Sequence, residues 1–162
     1  MKTPRHLITI LAALLFGVTM AGAAWGAESL DLDKAVKVGS GKIMVIEFTD
    51  PDCPHCRKAE AYFQGKPQVT RYIFFLPLAI HPGAKEKVQY ILSAKDRERA
   101  YLEVQSGKYD PRTAVITPEG IRLQKEHQEI AKKNKVRSTP TFMIYGRIMT
   151  GFDINRIDPL LR

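Results

Sequence analysis

Hydrophobic and polar positions along this chain change period several times, and each change marks an element. Ile43-Met44-Val45-Ile46 and Phe48 form an apolar run broken only by Glu47, which reads as a buried strand over 42–48. Residues 54–65 read as a helix that ends near Gly65-Lys66-Pro67. Val69 to Leu76 is β-branched and aromatic, a second strand running up to Pro77. After His81-Pro82-Gly83, the residues Val88, Ile91, Leu92, Ala100, Tyr101 and Val104 recur at helical spacing. They predict one long helical stretch, broken by Gly107 through Pro111 and by Pro118. Glu119 to Asn134 is a further helix, with Leu123, His127, Ile130 and Ala131 on one face and Asn134 suited to its C-terminal cap. Thr141 to Tyr145 is a strand, Gly146-Arg147 a tight turn, Ile148 to Phe152 a returning strand, and Asn155 to Leu161 a terminal helix. The order is β-α-β, a helical segment, α, then β-β-α. It predicts an α/β fold in which a parallel pair joined by a crossover helix meets an antiparallel hairpin.

The N-terminus has a different character. Lys2 and Arg5 precede an uncharged, largely apolar stretch from Leu7 to Met20, and Ala21-Gly22-Ala23-Ala24-Trp25-Gly26-Ala27 supplies small residues. This is the pattern of a secretory signal peptide over residues 1–27, which places the mature chain in the periplasm, or at the membrane if the leader stays attached. Residues 28–41 read as a polar lead-in and residues 42–162 as the folded domain. The formal charge is +8, two of it on Lys2 and Arg5. The densest basic cluster, Lys132-Lys133-Asn134-Lys135 with Arg137, falls at a helix end, where it complements the dipole and solvates the surface. No nucleic-acid motif accompanies it, so no nucleic-acid partner is expected.

Export changes the meaning of the cysteines. The chain has two, Cys53 and Cys56, within Cys53-Pro54-His55-Cys56 at the junction of a strand and a helix. A bridge between them closes too short a loop to restrain much of the unfolded chain, so its use is chemical rather than structural. Cys53 at the helix N-terminus has its thiolate favoured by unpaired N–H groups and the dipole, and Pro54 fits the first helical position. The expected roles are Cys53 as the attacking thiolate and Cys56, one turn deeper, as the resolving thiol. His55, if protonated, would add to thiolate stability and make the disulfide more oxidising; the spacing also permits a solvent-facing side chain without effect. Glu47 is either a buried carboxyl with a raised pKa that accepts the Cys56 proton or an edge residue, and pattern does not separate the two. Ser138-Thr139-Pro140-Thr141 puts a proline at the head of a strand, where it cannot donate to the ladder. A cis Thr139–Pro140 bond would leave the backbone there free to pair with an extended substrate, while an ordinary trans turn also fits the residues.

Cys53-Pro54-His55-Cys56 preceded by Glu47-Phe48 resembles the DsbA active site, and the wider match is to the catalytic domain of the DsbC/DsbG disulfide isomerases. Phe48 to Cys53, Pro77 through Pro82, Ile91 to Asp96 with Glu103-Val104 and Gly107-Lys108, and Val136 to Thr141 are similar to that family's segments across residues 42–152. The resemblance implies a thioredoxin-like fold with a helical insertion between the CxxC helix and the cis-Pro strand. It also implies a redox-active Cys53–Cys56 pair and a Thr139–Pro140 substrate segment. Three departures stand out: Pro54-His55 is the oxidase-like pair, Ser93 replaces a structural cysteine, and residues 28–41 are too few for the family's dimerisation domain. A monomer is therefore expected.

The leading reading is thiol:disulfide exchange with cysteine-containing exported proteins, reset by a membrane-bound or soluble redox partner, with no cofactor and no metal. A metal carrier using Cys53, Cys56 and one of His55, His81 or His127 is the alternative; it lacks a second CxxC and a full set of four ligands. A holdase that uses only the groove beside Thr139 and Pro140 is the third.

Overall fold

The computed structural model describes residues 30–162, so the stretch assigned to export lies outside the described residues. Strands β1 (Val36–Val38), β2 (Ile43–Thr49), β3 (Val69–Phe75), β4 (Thr141–Ile144) and β5 (Arg147–Thr150) form one sheet in the order β1-β3-β2-β4-β5. Only β2 and β3 are parallel, joined by helix α1 (Pro54–Gln64); the other pairs are antiparallel. Helices α2 (Ala84–Ser93), α3 (Arg97–Gln105) and α4 (Pro118–Lys133) follow β3, and α5 (Ile154–Ile157) closes the chain with a 3-10 turn. The layout is the expected α/β plan, with α2 and α3 as the inserted helical segment.

Alternation explains which side chains meet. Val45, Glu47 and Thr49 of β2 share one face with Val69, Arg71, Ile73 and Phe75 of β3. Helix α1 covers part of that face with Ala59 and Phe63, packed against Val45, Phe142, Ile144 and Met149. The inserted helices cover the rest, where Val88, Ile91, Leu92, Tyr101 and Val104 meet Val36, Ile73 and Phe75. The opposite face stacks Phe48 on Phe74 at 5.4 Å under Ala131 and Val136.

Three segments differ from the sequence-based expectation. Val36–Val38, inside the stretch read as a lead-in, is an edge strand. Three residues are too short for a period to show, and the strand exists because the β3 edge is there to pair with it. The 3-residue strand reaches β2 through a sharp turn in which a side chain on Gly41 would collide with the Gln68 backbone. The single long helical stretch is two helices, because Asp96 caps the start of α3 by accepting from Arg99 N–H. The β4–β5 turn is Tyr145-Gly146, both at positive φ, one residue earlier than expected. Ser93, at the end of α2, donates to the Gln89 carbonyl and accepts from the Thr117 N–H, which ties α2 to the cap of α4.

His127 of α4 is fully buried and finishes the sheet edge. Its Nδ1 accepts from Phe75 N–H at 3.0 Å, beyond the end of the β1 pairing, and Nε2–H donates to the Lys34 carbonyl at 2.9 Å. Accepting at Nδ1 requires the neutral ring, and burial lowers its pKa to about 4 from 6.5. The unfolded chain therefore binds one more proton between those two values, so stability rises with pH across that window. The gain from this group is about 3 kcal/mol. Urea unfolding from pH 4 to 7, with His127→Gln beside the native chain, checks it; a native slope no steeper than the variant's excludes His127 as the source.

Candidate active site

The dithiol sits where β2 ends and α1 begins. Cys53 is the N-cap residue in extended conformation, its carbonyl accepting from Arg57 N–H and its own N–H donating to the Asp50 carbonyl. Pro54 takes the first helical position, where its missing N–H costs nothing. Both thiols are free, and both residues are buried: Cys53 keeps 4% of its surface and Cys56 1%. Cys56 lies one turn in, on the buried side of α1 with Ala59, Glu60 and Phe63. Burial pushes its thiol up to about 12. The Thr49 and Thr139 hydroxyls and the Asp50 backbone face its sulfur and ease this shift. Neither hydroxyl has a hydrogen bond of full geometry, so burial wins.

The loop before β4 closes the site from the other side. Thr139–Pro140 is cis, and the Thr139 carbonyl lies 3.6 Å from Cys53 Sγ, which donates to it. The Pro140 carbonyl accepts from Gly151 N–H at 2.8 Å, so this loop is pinned to the strand-end turn behind it. Residues 53–56 and 139–140 are thus in contact.

Glu47 is fully buried on the face under α1. Its Oε2 accepts from Arg71 at 3.1 Å, while Oε1 has no hydrogen-bond partner. Burial raises its pKa first, and the Glu60 charge adds to that, against the pull of Arg71. Its charge in turn raises the Cys56 thiol, which places the two groups within electrostatic reach. The edge-residue alternative for Glu47 is thereby removed. His55, at the second residue of α1, is exposed, with no hydrogen bond or ion pair to any described residue.

Three residues of the site carried no assigned role in the sequence. Asp50 is fully buried; its carboxylate accepts from Asp52 N–H, Leu78 N–H and His81 Nδ1, and so fastens the loop after β3 to the dithiol. Arg71 and Glu60, both 3% exposed, complete an ionic group with Glu47. A signal for them existed: a charge stands in the middle of each of two neighbouring apolar strands, and a second acid falls one turn after Cys56. Among the described residues, no group of three or more His, Cys, Asp or Glu side chains is placed to hold a metal ion. His127 has both ring nitrogens engaged with backbone, and His81 is held by Asp50.

Residues 30–152 match the family described as thioredoxin-like domain. The chain belongs to that family. Among curated relatives it is 30% identical over 126 residues to a probable thiol:disulfide interchange protein DsbC of Bordetella pertussis, covering 75% of this chain and 43% of that one. It thus spans less than half the length of that relative. Among solved structures, a disulfide interchange protein from Neisseria gonorrhoeae superposes with a TM-score of 0.72 at 30% identity, covering 82% of this chain and 96% of that one. The catalytic domain of Proteus mirabilis ScsC aligns with a TM-score of 0.63 at 19% identity over 79% of this chain and 87% of that one, a likeness of fold. The resemblance read from residues 42–152 is therefore one of family, and the inserted helices α2 and α3 lie within the matched region.

Proposed function

We propose that this chain is an exported thiol:disulfide oxidoreductase that exchanges disulfides with cysteine-containing proteins through Cys53 and Cys56. The observation that carries the reading is the contact between Cys53 Sγ and the Thr139 carbonyl, 3.6 Å apart, with Cys56 buried behind. In the reductive direction the Cys53 thiolate attacks a substrate disulfide; one S–S bond forms, one breaks, and the leaving sulfur takes a proton. Cys56 then gives its proton to Glu47 and attacks Cys53, which frees the second substrate thiol and leaves the enzyme disulfide. The oxidative direction is the same sequence reversed. Thr139 and Pro140 offer an extended edge for the substrate backbone. Pro54-His55 leans the chain towards oxidation, with a redox partner resetting the dithiol. No helix among the described residues is long and apolar enough to cross a membrane.

A glutathione redox titration of the purified chain tests the reading: a single two-electron transition is expected, and a dithiol that never equilibrates with glutathione sinks it. The same titration assigns His55. His55→Ala is expected to make the disulfide roughly tenfold harder to reduce, about 30 mV lower in potential, by removing a positive neighbour of the Cys53 thiolate. An unchanged potential means that the exposed ring is inert.

A further inference from the structure

Behind the dithiol lies a buried ionic group with more acid than base. The Arg71 guanidinium, on β3, donates one arm to Glu47 of β2 at 3.1 Å and the other to Glu60 of α1 at 2.8 Å. The two acids are not served equally. Glu60 accepts from Arg71, from the Tyr101 hydroxyl at 2.6 Å and from the Gln64 amide at 3.4 Å. Glu47 accepts from Arg71 and faces the Thr49 hydroxyl, which makes no hydrogen bond of full geometry, and its second oxygen is buried without a partner. Tyr101 comes from α3, part of the inserted segment, and its ring and that of Phe63 stand 5.8 and 5.1 Å from the guanidinium. The two acids differ in their surroundings as well: a cavity of about 310 Å³ is walled in part by Glu60, Gln64, Arg71 and Glu98, and Glu47 is not among its walls.

We propose that Glu60, gripped by Tyr101 of the inserted helix α3, is a positioning residue for thiol exchange: by holding one arm of Arg71 it leaves Glu47 half-paired and free to take up the Cys56 proton. This rests on the reading of Glu47 as the proton acceptor. The reasoning is one of charge division. One guanidinium cannot neutralise two carboxylates, so the group keeps a net negative charge, and a proton offered to it goes to the acid with fewer donors and deeper burial. Donors converge on Glu60, so the vacancy falls on Glu47, beside the thiol. In the transfer itself the Cys56 S–H bond breaks and a Glu47 O–H bond forms; Arg71 keeps its protons and Glu60 goes on accepting from it. The groups that face Glu47 are Arg71 from β3, Glu60 and Cys56 from α1, Thr49 from its own strand and Tyr101 from α3; its partner on β4, Phe142, is uncharged. The inserted segment therefore reaches the chemistry through one hydroxyl, which gives helix α3 a use beyond burying apolar surface.

The test reads the Glu47 carboxyl directly, by carbon NMR titration of the full chain. With Glu60→Gln, Arg71 turns wholly to Glu47 and the repelling charge is gone, so the proton affinity of Glu47 is expected to fall about tenfold, roughly one pH unit. Tyr101→Phe keeps the buried ring and removes one donor from Glu60, so the proton is shared more evenly and Glu47 is expected to move the same way by a smaller step. A purely structural role for Glu60 would change stability without moving either titration, and a Glu47 titration that stays put in both variants overturns the proposal. Glu47→Gln separates the two readings. If it leaves release of the mixed disulfide at the native rate while Glu60→Gln still shifts the Glu47 titration, charge division stands and the role of Glu47 as acceptor falls.

Discussion

Cys53→Ser is expected to abolish disulfide exchange, and Cys56→Ser to trap it half-way. Cys53 begins the helix and contacts the Thr139 carbonyl, so it is the sulfur a substrate chain lying along that edge meets first. Cys56 is 1% exposed, and burial pushes its thiol up to about 12. At neutral pH only on the order of one in 10⁵ such thiols is ionised, and the thiolate is the nucleophile. Iodoacetamide should therefore label Cys53 well before Cys56 across pH 6 to 8. Serine at position 53 removes the attacking atom and leaves no detectable turnover of a disulfide substrate. Serine at position 56 leaves the first attack intact but removes the resolving thiol, so a substrate carrying a disulfide should accumulate on Cys53 as a covalent adduct visible on a non-reducing gel. Early labelling of Cys56, or turnover surviving in Cys53→Ser, would reverse the assignment.

Arg71→Met is expected to cost the fold about 3–5 kcal/mol, the penalty for leaving buried carboxylates without their cation. Glu47 is fully buried and Glu60 is 3% exposed, and Arg71 is paired with both. Methionine fills most of the arginine stem's volume, so the loss is one of charge rather than packing. The pH dependence gives a second check. Without Arg71 the folded-state pKa of Glu47 rises further above the unfolded value. An acid shifted in that direction binds more protons in the folded state, so stability is lost as pH rises through that window and regained as it falls. The gap between Arg71→Met and the native chain should therefore narrow from pH 7 towards pH 4 in urea unfolding. A gap under about 1 kcal/mol at pH 7 would mean that the carboxylates find other solvation, and the ionic group would lose its structural importance.

Much of the site was legible because it is local. Cysteine spacing, a strand before it and a proline at the first helical position are contiguous in residues 43–56, and backbone geometry turns them into a strand-to-helix junction with Cys53 at the N-cap position. Thr139 was legible for another reason: a proline at the head of a strand is costly unless the strand's edge has a special use, and the costly residue marks the place. Apolar periodicity, with glycine, proline and cap residues marking the ends, also delivered β2, β3, α1 and α4 within a residue or two of their observed bounds, since those elements are long enough to show a period.

The remainder depended on contacts that no window of sequence contains. Val36–Val38 is a strand only because β3 presents an edge, and the break between α2 and α3 depends on one capping carboxylate at Asp96. Asp50 holds a loop 28 to 31 residues away, and Tyr101 reaches Glu60 across 41 residues. Sequence alone determined the fold class and the place of the two cysteines at a strand-to-helix junction, because period, capping and spacing act over a few residues at most. Tertiary structure decided which acid is paired and which is left half-paired. That outcome is set by how many donors reach each carboxylate once β2, β3, α1 and the inserted α3 have packed together, and the electrostatics of a buried group depend on distances that exist only after packing.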